Sequence, residues 1–263
     1  MQDETAETTL RPVVSYVRRS PRMNDSQAQA WQRWSGRYLV DDLPRLEAGL
    51  ERAPRHRRDE PAELDAIAVQ LAPQPPLDLA ALFGREAPLA LEIGVGSGEN
   101  LAALALRHPQ WNLLGFEVYE KALAATMGRL ARQRVDNVKL ICADGVGGLE
   151  FLLEPACVVR LDTYFPDPWP KKRHHKRRLV SPEFAELAAS RLVIGGGWRL
   201  ATDWEDYALD IRAVLAGCPG LRDGFEGFVT PRPVERPVTK FERRGIEAGR
   251  TIHEFCWIKV AEP

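Results

Sequence analysis

The chain has 263 residues, of which 44% are hydrophobic, enough to bury one sizeable core. A formal net charge of −1 excludes a general polycation, so any binding of nucleic acid would depend on a local basic patch. The acidic, polar first residues lack a secretory pattern, no apolar run is of bilayer-spanning length, and the four cysteines form no CxxC pair. We therefore expect a cytoplasmic protein without membrane contact, metal or disulfide framework.

Residues 1–80 differ from the rest of the chain, because they carry many charges and few apolar clusters. A proline-rich stretch, 73–76, closes this part. We expect the first dozen residues to be disordered and a short helix to run from Asp25 to Leu39. The sequence thus divides into an N-terminal arm at 1–80, partly disordered, and a folded domain at 81–263.

From Pro88 onward, strand-like apolar runs alternate with segments of helical period. Ser181 followed by Pro182 is typical of a helix start, with a serine cap and proline at the first helical position. Alternation of this kind predicts an α/β fold, a parallel sheet with helices on both faces, and ligands at the carboxyl ends of the strands. The predicted strands are Leu89–Ile93, Leu113–Phe116, Val138–Cys142, Val158–Tyr164, Trp198–Thr202 and Ile252–Val260.

A glycine-rich turn follows the first strand, with glycines at 94, 96 and 98 between two carboxylates, Glu92 and Glu99. Glycine permits tight turns and close approach of a ligand. The spacing is GxGxG, whereas dinucleotide folds use GxGxxG to hold a pyrophosphate. Carboxylates would repel a pyrophosphate but attract a ligand carrying a sulfonium and an ammonium. The alternative is a simple strand-to-helix turn.

Acidic residues also end the next two strands. Glu117 lies about 20 residues past the glycines, where a carboxylate can accept hydrogen bonds from both ribose hydroxyls of an adenosine. Asp144 can accept from an adenine amine. The alternatives are a solvated or helix-capping role for Glu117 and a cap or turn role for Asp144.

The fourth strand leads into Pro166-Asp167-Pro168-Trp169-Pro170, whose prolines predict a rigid, non-helical turn. There the Trp169 ring can stack on a base, and the Asp167 carboxylate can accept from base N–H groups. Six lysines and arginines follow among the eight residues 171–178. A solvated basic loop is the usual explanation for such a run, but its place beside Asp167 favours phosphate contact.

At these residues the sequence resembles the bacterial tRNA (guanine-N7-)-methyltransferase family. The resemblance covers the chain from about Pro88 to its end and touches the arm at Val17-Arg18-Arg19 and Arg22-Met23. Several motifs occur in the family's order, which is more specific than any one of them. The motifs are Leu91-Glu92-Ile93-Gly94 through Gly98, Gly115-Phe116-Glu117-Val118, Pro166 to Val180, Thr202-Asp203-Trp204 and Thr239 to Gly245.

The resemblance implies a Rossmann-like class I methyltransferase sheet, mostly parallel with an antiparallel C-terminal strand. It implies S-adenosyl-L-methionine as cofactor, tRNA as partner, and Asp167 as the residue assigned to catalysis. The implied cofactor residues are Glu92, Gly94, Gly96, Gly98, Glu117, Asp144 and Asp167. Substrate contacts are implied for Lys171, Asp203, Thr239, Lys240, Phe241 and Glu242, and RNA contacts for Arg173, His174, His175, Lys176, Arg177 and Arg178.

The hypothesis is in-line attack by guanine N7 on the methyl group, with Asp167 stabilising the developing charge and selecting guanine. Asp203 either shares this task or caps the following helix, with Asp206 three residues on. Three rival functions stay open: a nicotinamide-dependent dehydrogenase, a methyltransferase acting on another RNA, protein or small molecule, and an RNA-binding protein without catalysis. The missing GxGxxG disfavours the first, and the set of Glu92, Glu117 and Asp167 disfavours the last.

Overall fold

The computed structural model describes residues 15–16, 23–45, 66–67, 70–225 and 235–261. The disorder predicted for the first dozen residues lies outside these ranges. So do Val17-Arg18-Arg19 and Arg22. Within the described ranges, the predicted helix from Asp25 is confirmed and ends at Tyr38 rather than Leu39. Its Asn24 cap accepts from the Gln27 backbone N–H at 2.9 Å, and the Gln27 side-chain oxygen accepts from the Asn24 N–H.

All six predicted strands are confirmed, with small shifts at their ends, and three strands were not predicted: the two-residue β1 and β2, and the three-residue β8. The fifth predicted strand begins earlier than expected, at Leu192. In chain order the strands are β1 (Ser15–Tyr16), β2 (Ala66–Ile67), β3 (Leu89–Ile93), β4 (Asn112–Phe116), β5 (Val138–Ile141), β6 (Val158–Tyr164), β7 (Leu192–Thr202), β8 (Leu221–Asp223) and β9 (His253–Lys259).

Helices connect the parallel strands, as the alternation predicted. Ser181 caps its helix by accepting from the Phe184 backbone N–H at 3.2 Å, which confirms that predicted start. The helices are α1 (Asp25–Tyr38), α2 (Leu79–Phe83), α3 (Glu99–Arg107), α4 (Glu120–Arg132), α5 (Gly145–Leu152), α6 (Pro182–Arg191), α7 (Glu205–Gly217) and α8 (Lys240–Glu247), with a 3₁₀ helix at Lys172–Arg177.

The main sheet has seven strands in the order β5-β4-β3-β6-β7-β9-β8, and β1 pairs with β2 in a separate antiparallel ladder. Neighbours from β5 to β7 run parallel, while β9 runs antiparallel to both β7 and β8. This confirms the expected Rossmann-like, mostly parallel sheet with an antiparallel C-terminal strand. The order places β3 and β6 at its centre, so their carboxyl ends are the natural position for a ligand.

The arm contributes to this fold through α1, which packs against α4. Tyr38 is 1% exposed, and its hydroxyl donates to the Val135 carbonyl at 2.9 Å. Just beyond the helix, the Val40 N–H donates to the Leu140 carbonyl at 2.9 Å and covers the edge of β5. Covering an edge strand blocks unwanted pairing with other chains. The domain boundary at residue 80 stays a prediction.

The two faces of the sheet differ. One buries mainly apolar side chains, among them Leu91, Leu161 and Trp198 beneath α5, α6 and α7. The other is apolar only where α3 and α4 cover β3, β4 and β5. On β6, the alternating side chains Arg160 and Asp162 point to that second face, and both of these charged side chains are buried.

Candidate active site

A cavity of about 490 Å³ opens at the carboxyl ends of β3 to β6. Its walls contain the four predicted carboxylates and part of the predicted substrate segment. Gly98, Lys171, Asp203, Lys240 and Glu242 lie outside the lining. The lining residues include Glu92, Gly94, Gly96, Asn100, Glu117, Asp144, Tyr164, Phe165, Asp167, Trp169, Arg177, Thr239 and Phe241.

The glycine turn has two kinds of glycine. Gly94, Gly96 and Gly98 have φ of 77°, 54° and 70°, the left-handed region that glycine adopts without strain. A Cβ on Gly94 or Gly96 would meet nothing within 4 Å, so there the backbone faces open space at the cavity. A Cβ on Gly98 would lie 2.5 Å from Thr126 Cγ2. Gly98 therefore allows the turn to pack on α4 and does not face the ligand space.

Glu117 connects the end of β4 to that turn. Its Oε2 accepts from the Gly96 N–H at 2.9 Å, and its Oε1 accepts from the Tyr119 N–H at 3.1 Å. The same side chain lines the cavity. The carboxylate is therefore fixed in orientation by backbone donors before any ligand arrives.

Asp144 has the cap role that the sequence left open. It is the N-cap of α5 and accepts from the Val146 N–H at 2.8 Å and the Gly147 N–H at 3.3 Å. Burial raises its pKa, while the two backbone hydrogen bonds oppose that shift. Since Asp144 also lines the cavity, its cap role and its predicted role at the adenine are compatible.

Glu92 is 4% exposed at the base of the cavity. Its Oε2 accepts from Asn100 Nδ2 at 3.1 Å, and the same nitrogen lies 3.1 Å from Asp162 Oδ2. Burial raises the pKa of Glu92 well above its ordinary value, and the neighbouring Asp162 raises it further. Arg160 binds Asp162 through Nε and Nη2, both at 2.8 Å. The base of the cavity is thus a buried, hydrogen-bonded charge cluster.

The proline turn after β6 is held in an unusual backbone conformation. Phe165 and Trp169 have φ of 53° and 46°, and each precedes a proline. Left-handed backbone costs roughly 1–2 kcal/mol for a residue with a side chain, so surrounding contacts must support it. The Phe165 N–H donates to the Ala201 carbonyl at 2.7 Å, and Arg178 Nε donates to the Pro168 carbonyl at 2.9 Å. These contacts present Asp167 at the cavity with its side chain exposed.

The basic run is not uniform. Lys171, Lys172, Arg173 and Lys176 are exposed, and His174 and His175 are half-buried. Arg177 is half-buried beside the cavity, with its guanidinium carbon 5.1 Å from the centre of the Trp169 ring. The run therefore places several cations next to the cavity entrance.

Arg178 differs from the rest of the run and is a correction to the sequence prediction. It is 5% exposed and pairs with Asp206 at 2.6 Å and with Asp210, both on or beside the first turns of α7. Its guanidinium also lies 4.8 Å from the Tyr207 ring centre. A buried cation with two carboxylate partners does not face an RNA backbone, so Arg178 is removed from the RNA-contacting set.

Asp203 is not a helix cap. The N-cap of α7 is Trp204, without a side-chain cap, and Asp203 instead pairs with Arg250 Nη1 at 3.0 Å. A Cβ on Gly245 would lie 2.8 Å from Asp203 Oδ2, so α8 packs directly against this carboxylate. The capping alternative is therefore wrong, and Asp203 packs against α8 instead.

The segment Thr239 to Glu242 divides between surface and core. Thr239 caps α8 by accepting from the Glu242 N–H at 3.3 Å, and it lines the cavity with Phe241, which is 46% exposed. The exposed Lys240 donates its backbone N–H to Glu99 Oε2 at 2.7 Å. Glu242 is 1% exposed and accepts from Arg236 Nη1 and Nη2 at 2.7 and 2.9 Å. Glu242 is therefore buried against Arg236 and is not part of the cavity wall.

Several residues of this site were missed by the sequence reasoning. They are Asn100, Arg160, Asp162, Tyr164 and Arg236. Three of them alternate along β6, and this period of two across a strand marks one polar face. That pattern was the available signal. Arg236 had none, because its position over the rings of Tyr164 and Phe165, at 5.1 and 5.6 Å, depends on the fold.

Comparison with known proteins identifies the family. A family model described as "Putative methyltransferase" matches residues 86–255. A tRNA (guanine-N(7)-)-methyltransferase of Cutibacterium acnes is 48% identical over 96% of this chain and 85% of its own length. The chain belongs to the tRNA (guanine-N(7)-)-methyltransferase family. The corresponding enzyme of Nocardioides sp. is 40% identical, over 94% of this chain and 88% of its own. The resemblance stated from the motifs is confirmed.

Solved structures agree on the fold. The crystal structure of the 16S rRNA methyltransferase KamB superposes with a TM-score of 0.53, covering 72% of this chain and 96% of that one, at 16% identity. This similarity supports the methyltransferase fold alone. In the part of the chain that the structure describes, no helix is both long and apolar enough to cross a bilayer. Those same residues contain no cluster of three or more His, Cys, Asp or Glu suited to a metal ion.

Proposed function

We propose that this chain transfers a methyl group from S-adenosyl-L-methionine to N7 of a guanosine in tRNA. One observation carries the proposal: a cavity lined by Glu92, Glu117 and Asp167 opens beside the cationic residues 171–177. The relatives that match nearly the whole chain are named for this reaction on tRNA. Such a substrate places the enzyme in the cytoplasm.

The residues fit the methyl donor by their chemistry. When bound, S-adenosyl-L-methionine supplies an electrophilic methyl group on a cationic sulfur. Glu92 and Glu117 provide negative charge, and Gly94 and Gly96 leave the backbone open to the ligand. Glu117 is held in orientation by two backbone donors, and its carboxylate is an acceptor of the kind that ribose hydroxyls need. Asp144 offers an acceptor for an adenine amine.

Asp167 has the role of orienting and stabilising the base. Guanine N7 has an in-plane lone pair and no proton, so attack on the methyl group needs no general base there. Positive charge develops on the guanine ring as the methyl group arrives. A carboxylate held in place by the turn stabilises that charge and accepts from guanine N1–H and the N2 amine, which adenine lacks. Trp169 supplies an aromatic face for stacking.

The RNA backbone contacts the basic residues beside the cavity. Lys171, Arg173 and Lys176 are exposed and free of the buried pairing that holds Arg178. Phosphate contact by these cations, with His174, His175 and Arg177, would orient the nucleotide over the cavity. Thr239 and Phe241 line the cavity and contact the substrate there, and the neighbouring Lys240 and Asp203 contact it from outside the lining.

Incubation of unmodified tRNA with the enzyme and a methyl-labelled donor, followed by mapping of the labelled nucleotide, tests this function. The expected product is guanosine methylated at N7. Asp167→Ala should lower kcat at least about 100-fold, the loss typical of a preorganised electrostatic group, with an unchanged melting temperature. Asp136→Ala is the matched control, because this exposed aspartate lies at the opposite end of β5.

Three results would contradict the proposal. Label on another RNA position or RNA class favours a different methyltransferase. RNA binding without transfer favours a non-catalytic binding protein. Near-normal turnover by Asp167→Ala removes this carboxylate from the reaction.

A further inference from the structure

Beneath the cavity, one amide nitrogen connects two buried carboxylates. Asn100 Nδ2 lies 3.1 Å from Glu92 Oε2 and 3.1 Å from Asp162 Oδ2. An amide nitrogen carries two hydrogens, so it donates one to each carboxylate. Glu92 and Asp162 are register partners on the adjacent strands β3 and β6, which brings their side chains to the same face.

The two carboxylates have different partners. Asp162 is 0% exposed and accepts both Nε and Nη2 of Arg160 at 2.8 Å. This two-bond geometry pairs the guanidinium with Asp162, and its remaining Nη1 lies 3.6 Å from Glu235 Oε2. Glu92, in contrast, lines the cavity and accepts a hydrogen bond from the Asn100 amide. The Glu92 carboxyl group is therefore directed at the ligand space.

We propose that Asn100 and Asp162 are positioning residues for the methyl donor: the Asn100 amide, anchored on the buried Asp162 carboxylate, orients the Glu92 carboxylate toward the cavity. The inference rests on the proposed function, because it takes the cation of S-adenosyl-L-methionine as the group that Glu92 attracts. Neither Asn100 nor Asp162 touches the reacting atoms. Their effect is exerted through Glu92.

Stability alone does not explain this cluster. Burial of charged groups is costly, and well-packed apolar side chains of similar size often give equal or greater stability than a buried ion pair. A cluster that lies against the ligand cavity and fixes one carboxylate there has a use in binding. Preorganised negative charge binds a cation without the cost of reorienting side chains after the ligand arrives.

The pH dependence of donor affinity distinguishes a positioning role of Asn100 and Asp162 from a role in packing alone. Glu92 is faced by Asp162, Arg160 and Tyr164 from β6, by Asn100 from α3 and by Glu117 from β4. Burial and Asp162 raise the pKa of Glu92, whereas the Asn100 hydrogen bond and Arg160 lower it. Because only ionised Glu92 attracts the cation, donor affinity is present above the pKa of Glu92 and is lost as pH falls through it.

The test compares Asn100→Leu and Asp162→Asn by calorimetric titration with S-adenosyl-L-methionine across the acid range in which the fold is intact. Asn100→Leu removes a donor to the carboxylate, so the acid limb of donor affinity should move to higher pH. Its Kd at neutral pH should rise about tenfold or more, the effect of one hydrogen bond to a charged group. Asp162→Asn removes a negative neighbour, so its acid limb should move to lower pH.

Asn112→Leu is the matched control, since Asn112 is as buried as Asn100 but bonds Arg85 at the opposite end of β4. It should leave donor Kd and its pH profile as in the wild type, and tRNA affinity should stay within about twofold in Asn100→Leu. Equal pH profiles for Asn100→Leu and Asn112→Leu overturn the inference, even if Asp162→Asn does not fold. Shifts of both site variants in the same direction overturn it as well.

Failure of the inference differs from failure of the proposed function. If the wild-type protein does not bind the donor, the proposed function fails and the inference fails with it. If the wild type binds the donor and the profile of Asn100→Leu matches it, only the positioning role is overturned.

Discussion

The two faces of the sheet around β6 bury different kinds of side chain. On one face, Leu161 packs beside Trp198 beneath helices, and Trp198 Nε1 donates to Thr163 Oγ1 at 3.1 Å. On the other, Asp162 neighbours Arg199 in register, and Glu235 pairs with both Arg160 and Arg199. Burial of apolar surface is the main source of stability, whereas burial of charge contributes little net stability. The comparison separates a face that maintains the fold from one that orients groups for chemistry.

The charged face includes a second cluster near the turn that carries Asp167. Arg236 is 1% exposed and binds Glu242 through two nitrogens and Glu254 through one. The same guanidinium lies over the rings of Tyr164 and Phe165. Arg236 thus connects α8 and β9 to the start of the proline turn. Through these contacts, the position of the turn depends on the position of α8.

The largest effect on stability should come from the apolar face. Trp198→Ala should lower the free energy of unfolding by about 3–5 kcal/mol, because it leaves a large cavity in the core. Thermal and denaturant unfolding measure this, and donor Kd for the folded fraction should not change. Leu209→Ala is the control, since Leu209 is 58% exposed on α7. A small loss in Trp198→Ala, equal to that of the control, would contradict the division between the faces.

The next effect should come from the charged face. Arg236→Met leaves Glu242 and Glu254 buried without their cation and should cost about 3 kcal/mol or more. Unlike Trp198→Ala, it should also reduce kcat in the folded protein, because the Arg236 guanidinium no longer packs on the Phe165 ring. Adding Glu242→Gln should recover part of the stability and little of the activity. Full activity in Arg236→Met would mean that the cluster only holds the fold.

The smallest effect distinguishes two arginines of one basic run. Arg173→Met should reduce the slope of log Kd for tRNA against log salt by about 0.7–0.9, the value for one phosphate contact. Arg178→Met should leave that slope unchanged and lower stability instead, because Asp206 and Asp210 lose the buried Arg178 guanidinium. A lower slope in Arg178→Met would restore this residue to the RNA-contacting set.

Much of the fold was predictable because strand and helix periods are local properties of the sequence. The early start of β7 was missed because Gly195, Gly196 and Gly197 are typical of a turn. The strand β8 has three residues, too few to show a period. The carboxylates after the strands were predictable because parallel strands end at one edge, so Glu92, Glu117 and Asp144 had to meet there.

The charged face was not predictable, since a sequence reveals which residues share a face but not what covers it. Arg160 and Asp162 alternate as a solvent-facing pair would, yet both are buried, and Glu235, more than 70 residues later, lies 3.6 Å from Arg160 Nη1. For the same reason Arg178 resembled its exposed neighbours, because its partners Asp206 and Asp210 lie on a later helix.

The most direct measurement is a crystal structure of the enzyme with S-adenosylhomocysteine, the demethylated cofactor. The account predicts the ligand's ribose on Glu117, its amino group on the side of Glu92, and the Asn100 amide still between Glu92 and Asp162. A ligand lodged elsewhere, or a Glu92 carboxylate turned away from it with the Asn100 bridge broken, would contradict the account.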